Sequence, residues 1–287
     1  MYSCIPAGIP AFATTCITCL AGALLLGLAF HARTLEACRT IWRKMLPGIL
    51  LLAVLNASYN TLYLYGAKSF DVASGAFTFC MTVVVLPVVL LTMRRKISLE
   101  TWASVVLVFL GIVIALGPSL RGEQLPGLAF MGTGCLVRAI FIVRLADMAK
   151  KYDPIAIAVF LQFFAGLFSF GGWFFEEPRL FLALPLSRSL LAAWAIYAYF
   201  IVAFAQSLNI FAMKRVTAAN ATVVYSMEII FSITWGALLP SGLIENVKLT
   251  PSIFVGGLMV VCGSLAEIMD FRRKRSAFET KAGEGEQ

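Results

Sequence analysis

Nine apolar runs divide the chain: Ile5 to Phe30, Met45 to Ala67, Val72 to Met93, Thr101 to Leu120, Gln124 to Val143, Pro154 to Phe175, Ser189 to Met213, Val216 to Leu239, and Leu249 to Ala266. Only two of them contain a charge, Arg138 and Glu228. A hydrocarbon slab of about 30 Å is crossed by roughly 20 helical residues, and each run meets that within the usual range. The strands of a membrane barrel would instead show short segments of alternating polarity, which the sequence lacks. With 60% hydrophobic and 13% charged residues and a mean hydropathy of +0.89, the 287 residues also have too little polar surface to cover a water-soluble globule. The sequence predicts an all-α membrane protein with nine transmembrane helices.

A net charge of +8 could suggest nucleic acid as a partner, but the placement of the basic residues argues for a bilayer instead. Lys and Arg fall on alternate loops: Arg33, Arg39, Arg43 and Lys44 after the first run, Arg94 to Lys96 after the third, Arg144, Lys150 and Lys151 after the fifth, Lys214 and Arg215 after the seventh, Arg272 to Arg275 after the ninth. By the positive-inside rule the C-terminus is cytoplasmic and, with nine spans, the N-terminus lies outside. The cell membrane is the expected location. The seven cysteines lie mostly within apolar runs, without a Cys/His cluster, and read as small buried hydrophobes. No metal, cofactor or catalytic residue is expected. The first run lacks a basic leading segment and is too long for a signal-peptide core, so it reads as a retained helix.

The chain also repeats itself. Tyr65 to Thr78 returns in outline at Phe211 to Val224, with Lys68 aligned on Lys214 and Ala73 on Ala219. A later run in each half carries small residues seven apart, Ser104 and Gly111 in one, Gly256 and Gly263 in the other. Seven residues is about two helical turns, so each pair marks one close-packing stripe. The two copies sit five spans apart, an odd number, and must cross the membrane in opposite senses. Inverted repeats of this kind are a recurrent build of secondary transporters. The organisation expected is a first repeat over residues 1–121, a second over 122–270, and a disordered cytoplasmic tail over 271–287. The second half has five helices and the first four. Either the chain begins at an internal methionine of a longer gene, which is the expectation, or it is a nine-helix variant that has lost one.

The run Asn60 to Leu116 resembles the first repeat of EamA-type carriers of the drug/metabolite transporter superfamily, and Ala205 to Ile268, with its YSMEII around Glu228, resembles the second. The resemblance extends from Ile5 to Ile268 as four helices plus five of a ten-helix fold. Ile229 stands where that family often has Pro, and the common Leu-Gly-Glu before the last helix of each repeat is absent.

The polar residues inside the runs are the candidate site. Glu228 lies thirteen residues beyond Arg215, near the bilayer middle, where an isolated ionised carboxylate is costly. It either binds a cationic group or a coupling proton, or ties helices together through a hydrogen bond. Arg138 lies six residues, about 9 Å, from Arg144; its stem can snorkel to water, or its guanidinium can serve a cavity as a partner to Glu228 or a dock for an anion. Asn56, Tyr59 and Asn60 form one polar stripe, and Gln206 and Asn209 another, with Asn60 aligned on Gln206 under the repeat. Interhelical hydrogen bonding is the alternative to a cavity role; the family resemblance implies that these helices line a substrate path. Tyr225 and Gln162 are further candidates for that lining, with a packing contact the favoured reading of Gln162. Trp42, Trp102, Trp173 and Trp194 fall near run ends and read as an interfacial belt.

The function expected is a carrier of small organic solutes, an exporter working by alternating access between two inverted bundles. A degenerate, non-transporting membrane scaffold is the alternative. A membrane enzyme is disfavoured, because such chemistry needs an oriented base or acids clustered on a metal. Partners expected are the solute and the bilayer, and a homodimer is compatible with the sequence.

Overall fold

The computed structural model describes residues 9–40, 42–67, 69, 72–94, 99–116, 122–179, 187–215, 225, 231, 234, 250–263 and 265, with residues 72–79 and 99–101 described by backbone alone. Among these residues all regular structure is helical and no strand occurs. The elements are α1 (Ala11–Ala29), α2 (His31–Thr40), α3 (Trp42–Ala67), α4 (Val72–Thr92), α5 (Leu99–Leu116), α6 (Leu125–Ala149), α7 (Pro154–Glu176), α8 (Arg188–Met213) and α9 (Pro251–Gly263). Of these, α1, α3, α6 with its preceding turn, α7 and α8 are long and apolar enough to cross a membrane. The run that holds Glu228 lies outside the described residues, apart from Tyr225, Phe231 and Thr234, as does the tail.

Local chemistry sets several helix boundaries. Pro154 and Asp153 start α7 together: proline sits where no amide hydrogen bond is needed, and the Asp153 carboxylate accepts the Ile155 and Ala156 amides at 2.9 and 3.1 Å. Ser187 caps α8 through the Leu190 amide. α8 has a π-helical middle, Tyr197–Ala205, that widens the turn. No Pro or Gly marks that segment in the sequence, and the departure from regular helix was not legible there.

α1 packs on α7 and α8, α3 on α6 and α7, and α4 on α5 and α6. The fully buried core between them is apolar, with Ile49, Leu52, Leu145, Ile157 and Leu161 at its centre. The outward surface is apolar as well: Leu24, Leu28, Phe175, Phe204 and Leu258 are exposed. Outward apolar faces on helices of this length are the surface of an integral membrane protein. Trp173 and Trp194 depart from the expected interfacial belt, since both are buried, packed with Ile9, Cys16 and Leu190.

The two seven-residue stripes of small residues meet face to face. A Cβ added at Gly111 would stand 2.7 Å from the carbonyl oxygen of Gly256, and one at Gly263 would stand 3.0 Å from that of Ser104. α5 and α9 therefore cross with their backbones in direct contact, in antiparallel register, as small-residue stripes allow.

The bundle is polarised by charge. α2, the end of α6 and the starts of α3 and α7 gather Arg33, Arg39, Arg43, Lys44, Arg144, Lys150 and Lys151 at one end, with Glu36, Asp147 and Asp153 among them; the opposite end holds Glu123, Glu176 and Glu177 beside Arg179 and Arg188.

Candidate functional site

Where α1, α3, α7 and α8 converge, they line a partly open cavity of about 60 Å³. Its described wall includes Asn56, Tyr59 and Asn60 from α3 and Gln206 from α8, four of the residues expected there. These side chains converge because α3 presents its Asn stripe inward and the π-helical turns of α8 carry Tyr197, Ile201, Val202 and Gln206 round to one face. Gln162 of α7 lines the same wall rather than making a packing contact. α1 contributes Thr14, Thr15, Thr18 and Cys19. These were missed: three threonines in an apolar run resemble ordinary packing residues, and only the neighbouring helices make them a polar wall.

The hydrogen-bond capacity of this wall is unevenly used. Thr15 donates to the Ala11 carbonyl at 3.1 Å and Thr18 to that of Thr14 at 2.7 Å, so both hydroxyls satisfy their donors within α1. Asn60 Nδ2 donates to the Asn56 carbonyl at 2.8 Å and to Asn56 Oδ1 at 3.3 Å, which fixes the two amides as a unit. Gln162 Oε1 and Thr14 Oγ1, by contrast, are fully buried and find no partner among the described residues. A buried polar atom in that state costs about 1–3 kcal/mol unless water or a ligand meets it. None of the described wall residues carries a formal charge.

Three other residues expected in the cavity, Arg138, Asn209 and Tyr225, stand outside its described lining and connect to it through Gln206. The Arg138 guanidinium carbon lies 5.0 Å from the centre of the Tyr225 ring. The Tyr225 hydroxyl donates to Asn209 Oδ1, and Asn209 Nδ2 donates to Gln206 Oε1 at 3.5 Å. Arg138 is thus turned toward Tyr225 and α8, and a chain of contacts runs from its charge to the cavity wall. Behind α3, the Tyr63 hydroxyl lies 3.3 Å from both Thr82 Oγ1 and Cys135 Sγ, joining α3, α4 and α6 in a contact the sequence did not suggest. Glu228 lies outside the described residues.

At the end of the bundle away from the basic residues, three helices are tied by one carboxylate. The Tyr65 hydroxyl at the end of α3 donates to Glu176 Oε1, and the Phe12 amide of α1 donates to Glu176 Oε2 at 3.3 Å. Pro10, at the cap position of α1, supplies no side-chain cap, and Glu176 from α7 serves the first turn in its place. Leu64, beside Tyr65, lines the cavity, so the clasp closes the bundle directly above it.

No family model and no curated protein matches the chain. Solved structures do match, 28 chains in all, so the helix arrangement recurs in experimental structures. One crystal structure of a protein superposes with a TM-score of 0.70 at 17% identity, covering 93% of this chain and 90% of that one. At such identity the likeness speaks to the fold alone.

Proposed function

We propose that this protein is a carrier of small organic solutes, of the EamA type within the drug/metabolite transporter superfamily, and an exporter by alternating access. The observation that carries the reading is the polar cavity at the meeting of four apolar helices, with Gln162 Oε1 and Thr14 Oγ1 left for a guest. Polar groups without partners are expensive in the middle of a membrane protein, and a bound guest or water would satisfy these two. The clasp at Glu176 supports a gate at one end. The antiparallel meeting of Ser104 and Gly111 with Gly263 and Gly256 supports two inverted halves, with nine spans and a cytoplasmic C-terminus. The Asn/Gln groups form the hydrogen-bonding wall, Arg138 supplies charge through Tyr225 and Asn209, and Glu228 binds a cationic group or a coupling proton.

A volume of about 60 Å³ holds only a few waters and is well below the roughly 150 Å³ that admits benzene. A larger solute would need the helices to separate, as alternating access provides. The same small volume favours the second reading, a scaffold that no longer transports.

The discriminating experiment expresses the chain in cells challenged with a panel of toxic small organic solutes. Raised resistance to some solutes, lost in Asn60→Leu and Gln206→Leu variants that insert normally, is the outcome expected of a carrier. Resistance unchanged across the panel, from a protein that inserts and folds, would establish the scaffold.

A further inference from the structure

A second cavity lies at the basic end of the bundle, between α3 and α6, with a volume of about 490 Å³. Its rim carries Arg144, Lys150 and Lys151 with one carboxylate, Asp147, a surplus of two positive charges. Below the rim the wall is apolar, formed by Leu51 and Met148. Gly48 lets Met148 pack closely on α3, since an added Cβ would stand 2.7 Å from Met148 Sδ. The Tyr152 hydroxyl donates to the Lys44 carbonyl at 3.4 Å, holding the α6–α7 turn and its lysines against the start of α3.

We propose that this groove binds the anionic headgroup of a phospholipid, with the phosphate against Arg144, Lys150 and Lys151 and an acyl chain along Leu51. From Lys150 to Arg144 is six residues, about 9 Å of helical rise, comparable to the roughly 5–7 Å headgroup layer of one leaflet. Leu51 is 46% exposed on the side of the groove, so the cavity opens sideways to hydrocarbon as well as to water. A free phosphate would fill the rim and leave that wall uncovered; a lipid covers both. Basic pockets between transmembrane helices are suited to such headgroups. The inference rests on the membrane setting and is independent of transport.

The test is native mass spectrometry of the full chain released from mixed phosphatidylglycerol and phosphatidylcholine. Wild type should retain phosphatidylglycerol preferentially. Each basic residue near an anionic surface is worth about fivefold, so the combined Arg144→Gln, Lys150→Gln and Lys151→Gln variant should lose roughly a hundredfold. Asp147→Asn should bind more tightly, a gain that general damage to the fold would not produce, and it carries the test if the triple variant does not fold. Arg33→Gln with Arg39→Gln, on exposed α2 at the same end, should change nothing. Equal loss in that control would mean diffuse surface attraction and overturn the site. Equal retention of the two lipids by wild type would overturn it too. Glycerol 3-phosphate competing as well as the intact lipid would overturn the lipid assignment in favour of a soluble phosphate.

Discussion

The Tyr65 hydroxyl donates to the Glu176 carboxylate, joining the last turns of α3 and α7 over a cavity that both helices line. Hydrogen bonds to a charged group contribute about 1.5–3 kcal/mol, enough to shift an open–closed equilibrium by ten- to a hundredfold. Tyr65→Phe and Glu176→Gln should therefore open that end. Cys19 is buried in the cavity wall. With the other cysteines replaced by Ser, its labelling by a membrane-impermeant maleimide should rise at least severalfold in either variant. Unchanged labelling would mean that the contact does not gate access.

The Gly111 contact with Gly256 makes a different prediction. Gly111→Ala drives a methyl group into the Gly256 carbonyl and should cost about 1–3 kcal/mol, a fall of several degrees in thermal midpoint. Gly132→Ala, where nothing lies within 4 Å of the added carbon, should be neutral or gain up to about 1 kcal/mol from helix propensity. Similar effects at the two positions would refute the close crossing of α5 and α9.

Gln162 separates stability from function. Its amide oxygen is buried without a partner among the described residues, so Gln162→Leu should raise the thermal midpoint by the equivalent of about 1–3 kcal/mol. The same change should reduce the solute resistance described above, since the wall loses its open acceptor. A destabilised Gln162→Leu protein would show that the amide is needed to hold the helices.

The Arg138 guanidinium lies over the Tyr225 ring, a contact that an ammonium on a flexible stem reproduces poorly. Arg138→Lys should lose about 0.5–2 kcal/mol of that contact while keeping the charge. Tyr225→Phe should leave the ring contact and remove the hydrogen bond to Asn209. If the chain from Arg138 to Gln206 matters to transport, Tyr225→Phe lowers resistance in the cell assay with little change in thermal midpoint; wild-type resistance would break the link.

The sequence by itself determined the helical, membrane-embedded character of the chain, because run length and the scarcity of charge are properties of residues taken in order. Asn56, Asn60 and Gln206 were legible for a similar reason: an amide is costly in hydrocarbon and stands out in an apolar run without any neighbour. So were the stripes at Ser104, Gly111, Gly256 and Gly263, whose seven-residue interval is fixed along one helix. What the stripes touch was decided only by the tertiary structure, which sets Gly111 on Gly256. The same holds for the threonines of α1 and for the clasp of Tyr65 with Glu176, residues 111 positions apart. A side chain's role there depends on which other helix comes within hydrogen-bond reach, and periodicity along one helix carries no information about that distance.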